Sequence, residues 1–422
     1  MNILWITNTP IAKHREMLGF PIGQSGGWME AAYCALKEHS LVSLGVVTLY
    51  GGNKIQKESD GNNSFYLIPS KESIDKYNPD SSFNKGQWKD VLNDFKPDVI
   101  QLWGTEYAHG LCAIKVSGGI PSVVYMQGMM SQIFNHTFAG ISLPDRFCST
   151  TFADLIKGHT YWREQSINSK KARNEAIILR NTNGVIVEND WCADNCRIIS
   201  SKCRIFKSLL PINPLFSKYE WRVETMSPYT IFTTAGANPI KGHHFLLKAL
   251  ALIVKQYPQT MLNIPGESYY FDNSLYRSLK RLSYPNYLLK LIRKMKLEKN
   301  VTFIGRLTPE QMAENMQKCN VFAMPSAIEN HSSTLIEAMM VGAPCVSSYV
   351  GGVEEYLNSG QNGLFYRFDE PEALAAKIIR IFTNIDFARH LSDNAKQSTR
   401  ACRCSLDIAS DFHNIYLQLN ND

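Results

Sequence analysis

Short apolar runs alternate with helix-like stretches along nearly the whole chain. Asn2–Thr7, Leu41–Leu49, Val99–Leu102, Ser122–Met126 and Gly184–Glu188 read as buried strands. Each is bounded by Pro, Gly or Asn, as in Lys96-Pro97-Asp98 and Gly118-Gly119-Ile120-Pro121. Helical patterning fills the intervals, for example Trp28–Glu38 and Phe152–Leu179. This alternation predicts right-handed βαβ units and a parallel sheet covered on both faces. The pattern then restarts with Tyr229–Thr234, Thr260–Ile264, Val301–Ile304, Val321–Met324 and Pro344–Ser348. Helices at His243–Gln256, Pro309–Lys318 and Thr334–Val341 separate those runs. Between the halves, Leu210-Pro211-Ile212-Asn213-Pro214-Leu215-Phe216 reads as an interdomain crossing. The expected fold is α/β, with two Rossmann-like parallel-sheet domains facing a cleft. Residues 1–210 form the first domain and 211–404 the second, while 405–422 form a helix packing back on the first.

Composition narrows the class. The 422 residues are 44% hydrophobic, 19% charged and 11% aromatic. That is a globular balance, incompatible with bulk disorder, collagen or coiled coil. No apolar run reaches the roughly 18 residues of a membrane-spanning helix. MNILWITNTP enters a strand at once, so no signal peptide is expected. The ten cysteines lack the paired spacings of a zinc site, and a reduced, cytoplasmic protein is expected. The net charge of +6 is concentrated. Arg277–Lys299 holds eight Lys/Arg against Glu298 alone, and Arg146–Lys207 holds eleven basic against six acidic residues. Such stretches attract phosphates, anionic lipid surfaces or nucleic acid, or are simply solvated faces. Within the first of them, Tyr287–Lys299 spaces Leu288, Leu291, Ile292 and Met295 as one helical face among Lys290, Arg293, Lys294 and Lys296. That is an amphipathic basic pattern suited to an anionic leaflet, or a helix packing on its own domain. Peripheral attachment to the inner face of the membrane is expected to depend more on Arg146–Lys207.

The most informative stretch is Pro325–Leu357, PSAIENHSSTLIEAMMVGAPCVSSYVGGVEEYL. A strand ending at Met324 leads through a polar loop into a helix starting near Thr334. Ligands of open parallel sheets bind outside the carboxyl ends of the strands. Glu329 and the amides of Asn330 to Ser333 therefore occupy a ligand position, and the helix N-terminus favours a pyrophosphate. Glu337 lies in the first turn, within reach of a neighbouring diol. Thr334-Leu335-Ile336-Glu337 also fits a capping box, which would give Glu337 a purely structural task.

The run closely resembles the signature of the retaining family 4 glycosyltransferases of GT-B fold. The matching positions are Pro325-Ser326, Glu329, Glu337-Ala338-Met339, Gly342-Ala343-Pro344-Cys345-Val346, Gly351-Gly352 and Glu354. The resemblance implies that Glu329 lies beside the donor sugar and that Glu337 binds the nucleotide ribose. Asn330, His331 and Ser332 would then offer amides to sugar and diphosphate, with Thr334 and Leu335 beside them. The family's usual Gly-Phe-Gly after the first Glu is absent. A second match, Thr234-Ala235-Gly236-Ala237-Asn238-Pro239-Ile240-Lys241-Gly242, implies that Lys241 neutralises the donor pyrophosphate, with Asn238 nearby. The family's Arg is missing there; either another basic residue substitutes, Arg306 being a candidate, or backbone amides hold part of the leaving diphosphate.

Weaker matches complete the donor set. Thr302-Phe303-Ile304-Gly305-Arg306-Leu307 resembles the turn that cradles the base, and Gly266 follows the preceding strand. Near the N-terminus, Gly23-Gln24-Ser25-Gly26-Gly27-Trp28 resembles the family's Gly-rich loop, where Gly26 and Gly27 permit close backbone approach. Gln127 stands where many members carry a His beside the sugar, and His109 is the other candidate.

The resemblance implies an acceptor-binding first domain and a donor-binding second domain. The implied reaction moves a sugar, with retention, from a nucleotide-diphosphate sugar to a hydroxyl of a saccharide or lipid-linked saccharide. Bacterial capsule or surface-polysaccharide biosynthesis is the implied setting. No Asp-x-Asp metal signature stands out, so no metal or other cofactor is expected, and Lys241 with helix dipoles would stabilise the leaving diphosphate. The alternatives are a GT-B-shaped epimerase or phosphorylase, or a non-catalytic basic binding protein. A nicotinamide dehydrogenase lacks its Gly-x-Gly-x-x-Gly, and no nucleic-acid-binding motif is present.

Overall fold

The computed structural model describes residues 1–20, 27–38, 42–70, 77, 85–236, 238–266, 280–403 and 407–421. The chain forms two compact units. The first comprises Met1–Phe134, Ile167–Pro211 and Leu406–Asp422. Its strands are β1 (Asn2–Thr7), β2 (Ser43–Tyr50), β3 (Gln56–Asp60), β4 (Asn63–Pro69), β5 (Val99–Trp103), β6 (Ser122–Tyr125), β7 (Gly184–Val187) and β8 (Arg204–Lys207). They form one sheet in the order β3-β4-β2-β1-β5-β6-β7-β8. All neighbours are parallel except β3 and β4, which make an antiparallel edge. The apolar pattern does not predict β3, because Gln56–Asp60 is polar and exposed along its length. Polar, charged residues are what an edge strand carries to discourage further pairing.

The core strands follow the apolar runs closely. Leu4, Trp5, Val46, Val47, Val99 and Ile100 are wholly buried, as expected for a parallel sheet covered on both faces. The C-terminal helix Ile408–Asn420 belongs to this unit. Its Phe412 packs among Trp5, Trp103 and Tyr125, whose rings lie 6.0–6.4 Å away. Tyr416 accepts a hydrogen bond from Trp5 Nε1 at 2.9 Å and donates to Gln101 at 2.6 Å. These bonds give a mid-strand glutamine and a buried phenol partners inside the core.

The second unit comprises Asn135–Ser166 and Ile212–Ser405. Its strands are β9 (Thr230–Thr233), β10 (Met261–Ile264), β11 (Val301–Phe303), β12 (Val321–Met324), β13 (Cys345–Ser348) and β14 (Leu364–Tyr366). They form a parallel sheet in the order β11-β10-β9-β12-β13-β14. Residues 135–166, expected in the first domain, join this unit because they pack on its helix Ser283–Lys294. The expected helix Phe152–Leu179 is broken into Phe152–Lys157 and Tyr161–Asn181 by Gly158 in the left-handed conformation. The Pro-rich crossing is not a loose tether: Phe216 and Trp221 are buried in the second core, and Trp221 Nε1 donates to the Cys319 carbonyl at 2.7 Å.

The basic amphipathic helix is resolved by this packing. Leu288, Leu291 and Ile292 lie in the second unit's core. Its apolar face is therefore unavailable to a bilayer, while Lys290, Arg293, Lys294, Lys296, Glu298 and Lys299 remain exposed. Arg277 lies outside the described residues. Among the described residues, no helix is long and apolar enough to cross a membrane.

Candidate functional site

In the second unit every strand runs the same way, so all the carboxyl-end loops emerge along one edge. From β9 the chain moves to β10 and β11 on one side, then returns to β12 on the other. The β9/β12 boundary is thus the topological switch point, where adjacent loops diverge and leave room for a ligand. The loops after β9 and β12 meet there. Ala327 N donates to the Ile240 carbonyl at 2.7 Å. Gly242 has φ +68°, and a Cβ on it would collide with the Pro325 carbonyl, so the Lys-Gly step needs glycine for both reasons.

This closure brings Lys241 and Glu329 together. Lys241 Nζ lies 2.6 Å from Glu329 Oε1, with Lys241 31% and Glu329 10% exposed. Ser326 Oγ donates to the same carboxylate oxygen at 2.7 Å. Behind it, Gly352 N donates to the Glu329 carbonyl at 3.2 Å. Gly351, at φ +56°, approaches that carbonyl too closely to carry a Cβ. The Gly-Gly pair therefore fixes the backbone from which the carboxylate projects. His243 is buried behind the loop and bonds the Thr234 carbonyl at 3.0 Å. Nε2 must carry the proton, and burial pushes the ring's pKa down to about 4, so it stays neutral. Nothing in the sequence pattern singled it out, although its place directly after Lys241-Gly242 was a usable signal.

The helix leaving the β12 loop spans Ser333–Val341, with Ser332 as N-cap. Leu335 N donates to Ser332 Oγ at 3.4 Å, and Ser332 N donates to the Tyr356 hydroxyl at 3.2 Å. The capping-box alternative for Glu337 thereby falls. The cap sits two residues earlier than Thr334, and Glu337 lies in the second turn rather than the first. Among the described residues its carboxyl makes no hydrogen bond or ion pair, and burial alone pushes its pKa up to about 7. Leu335 is fully buried, so its side chain faces the core, while Asn330 and Ser332 are buried in the loop. The His331 ring lies 5.3 Å from that of Tyr356.

The other donor-side candidates are spread along the edge. Asn238 caps the short turn Pro239–Lys241 by accepting from Ile240 N at 3.1 Å. Gly266 N donates to the Gly305 carbonyl at 2.7 Å, joining the loops after β10 and β11. Arg306 is exposed in the β11 loop, with β10 standing between that strand and β9.

The first unit has its own carboxyl-end cluster. Gly26 lies outside the described residues, and Gly27 opens the helix Gly27–Lys37. A cavity of about 160 Å³ is lined by Thr7, Asn8, Thr48, Tyr50, Tyr107 and His109. His109 is buried, with its ring centroid 6.5 Å from that of Trp88 and 6.0 Å from that of Tyr107. Gln127 instead groups with Asn8 and Glu106 around Gly104. Among the described residues, Gln127 Nε2 has no hydrogen-bond partner. Asn8 Nδ2 donates to the Glu106 carboxylate, whose pKa burial pushes upward. Glu175, from helix Tyr161–Asn181, accepts from the amides of Met130 and Ser131 at 2.6 and 2.9 Å and so pins the loop after β6. Neither acid stood out from spacing alone, because each gains its surroundings only from distant strands.

Comparison with known proteins gives this geometry a context. Residues 220–398 match the family described as "Glycosyl transferases group 1". A D-inositol 3-phosphate glycosyltransferase of Corynebacterium urealyticum is 27% identical over 163 residues, 37% of this chain and 36% of that protein. An N-acetyl-alpha-D-glucosaminyl L-malate synthase of Bacillus anthracis is 25% identical over 135 residues, 32% of this chain and 35% of that protein. The chain thus spans about a third of the length of the curated relatives it matches. Among solved structures, a sucrose-phosphate synthase from Thermosynechococcus elongatus is similar at TM-score 0.70 and 18% identity, covering 99% of both chains. Anabaena HepE in complex with UDP and glucose is similar at TM-score 0.64 and 16% identity, covering 100% of both. The fold is GT-B. The sequence match over 220–398 supports a glycosyltransferase family for this chain.

Proposed function

We propose that this chain is a retaining glycosyltransferase that carries a sugar from a nucleotide-diphosphate donor to a hydroxyl of a saccharide or lipid-linked saccharide. Surface-polysaccharide biosynthesis is the proposed setting. The observation that carries the reading is Glu337, a half-buried carboxyl with no partner among the described residues, on the helix that leaves the switch-point loop. Such a group is costly unless a ligand completes it, and a ribose diol supplies two donors. The neighbouring Lys241–Glu329 pair supports the rest. An arriving diphosphate competes with Glu329 for the Lys241 ammonium, neutralising the leaving group and freeing the carboxylate beside the sugar. The amides at the start of Ser333–Val341 add positive potential.

Charge stabilisation by these fixed groups would let the reaction proceed without a metal. No nucleophile is assigned, and the acceptor is proposed to attack from the face the diphosphate leaves. The test begins with a thermal-shift panel of nucleoside diphosphates, since a native-state ligand raises stability by mass action. UDP is tried first because Anabaena HepE was solved with UDP and glucose. Incubation with the matching nucleotide sugar and saccharide acceptors should release nucleoside diphosphate only when acceptor is present. Nuclear magnetic resonance of the product should show the donor's anomeric configuration. An inverted product would refute retention, and release that persists without any acceptor would refute transfer.

A further inference from the structure

Among the described residues, six of the twelve exposed large apolar side chains fall between positions 143 and 162. They are Leu143, Phe147, Phe152, Leu155, Ile156 and Trp162, with Phe152 and Ile156 71% and 70% exposed. They stand on helices Leu143–Ser149 and Phe152–Lys157 and at the start of Tyr161–Asn181. Phe147 and Trp162 join these pieces, with ring centroids 4.8 Å apart.

Helix Phe152–Lys157 is amphipathic in the inverted sense. Ala153 and Asp154 are buried, whereas Phe152, Leu155 and Ile156 face water. Polar bonds hold it in that orientation. Asp154 accepts from Thr151 N at 2.7 Å, from Ser283 N at 3.1 Å and from Ser283 Oγ at 2.6 Å. Asn286 Nδ2 donates to the Ser149 carbonyl at 3.0 Å, and Lys290 Nζ donates to the Cys148 carbonyl at 2.6 Å. The segment thus spends its polar groups on fixing the backbone and turns its apolar groups outward. Among the described residues nothing buries those side chains, and clustered exposed apolar groups mark an interaction surface.

The charge around the cluster selects the partner. Lys157 and Arg163 are exposed beside it, against Asp145 and the partly exposed Glu164. The helix bonded beneath contributes exposed Lys290, Arg293 and Lys294. We propose that this ridge seats the enzyme on an anionic lipid surface. Phe147, Phe152, Leu155 and Ile156 would enter the acyl boundary, Trp162 would lie at the headgroup level, and the basic residues would meet lipid phosphates. None of these residues belongs to the proposed nucleotide site.

Flotation of the full chain with vesicles tests the assignment. Binding is expected to phosphatidylglycerol–phosphatidylcholine mixtures, and weakly or not at all to phosphatidylcholine alone. Phe152→Ser/Ile156→Ser should cut binding by about ten-fold or more, because two side chains no longer partition into the interface. Lys157→Glu/Lys294→Glu should weaken binding chiefly at low salt. Both variants should keep the wild-type melting temperature and nucleotide-induced thermal shift, which separates this result from any failure of the transferase reading. Absence of binding to anionic vesicles at low salt, or wild-type flotation of the double serine variant, would overturn the proposal. Sedimentation showing a dimer that the serine variant disperses would assign the ridge to a second copy of the chain and overturn it equally.

Discussion

Glu337→Gln separates a binding carboxylate from a structural one, because its two effects have opposite signs. Burial raises the Glu337 pKa from 4.5 to about 7. At about 1.4 kcal/mol per tenfold change in proton affinity, ionising it in the folded chain costs about 3 kcal/mol more than in water. Discounting for its partly exposed edge leaves about 2 kcal/mol. Below pH 4.5 the group is protonated in both states and the cost vanishes. As pH rises from 4.5 through 7, the folded chain binds a proton that the unfolded chain has released, so stability is lost. Glutamine removes that cost, and at pH 8 the unliganded variant should be more stable than wild type by about 2 kcal/mol. Nucleoside diphosphate affinity should move the other way. Losing charge-assisted bonds to the ribose diol costs about 1.5–3 kcal/mol, or roughly 10- to 150-fold in Kd. Wild-type affinity should also rise with pH up to about 7, as the carboxylate forms. Urea denaturation at pH 8 and calorimetric titration at pH 6 and 8 measure both quantities. A variant no more stable than wild type, binding nucleotide with unchanged affinity, would refute the reasoning.

Lys241→Ala should lower turnover at least ten-fold, in keeping with the typical loss of about 10²–10³ for one preorganised charge stabiliser, while wild-type activity should survive EDTA; release of nucleoside diphosphate measures both. Glu329→Gln should lower turnover more than donor affinity, since its proposed partner is the reacting sugar, and steady-state kinetics would show the split. Gly351→Ala should destabilise the fold by at least about 1–2 kcal/mol and weaken donor binding, because its left-handed backbone and the Glu329 carbonyl both resist a Cβ; a wild-type melting temperature would contradict this. Burial holds His14 and His243 down to about 4 and His244 to about 3. Their unfolded forms gain protons first on acidification, so stability should fall from about pH 6.5 toward 4, by up to about 1.4 kcal/mol per pH unit for each; in Glu337→Gln, which lacks that carboxyl's opposing contribution, a urea midpoint unchanged between pH 7 and 5 would contradict this.

The strand runs were legible because a parallel sheet buried on both faces needs continuous apolar segments of strand length. Asn2–Thr7 and Val321–Met324 are bounded as their runs predict, and the other eight predicted strands end within two residues of theirs, whereas β3, β4, β8 and β14 correspond to no predicted run. Local chemistry was equally readable at Pro309–Lys318, where Thr308 and Gln311 form a capping box. Near Glu337 the cap falls at Ser332, two residues before the Thr334 of the capping-box pattern. Ser332, Ser333 and Thr334 are all acceptable N-caps; in the fold Ser332 Oγ takes the Leu335 amide while the Ser332 amide donates to the Tyr356 hydroxyl. The polar edge strand β3 left no periodic signal at all.

By itself, the sequence determined the number of parallel-sheet units, the loops at their carboxyl ends, and which charged residues those loops carry. These follow from short-range patterning, since burial and turn chemistry act over a few neighbouring residues. Tertiary structure decided which charges meet. Lys241 and Glu329 are 88 positions apart and pair only because β9 and β12 are adjacent strands. It also decided that Leu288, Leu291 and Ile292 belong to a core while Phe152, Leu155 and Ile156 face water. Both segments carry apolar and charged residues in similar proportion, and no periodicity distinguishes them. The difference arises because Asp154 is held inward by Ser283, a contact between residues 129 positions apart.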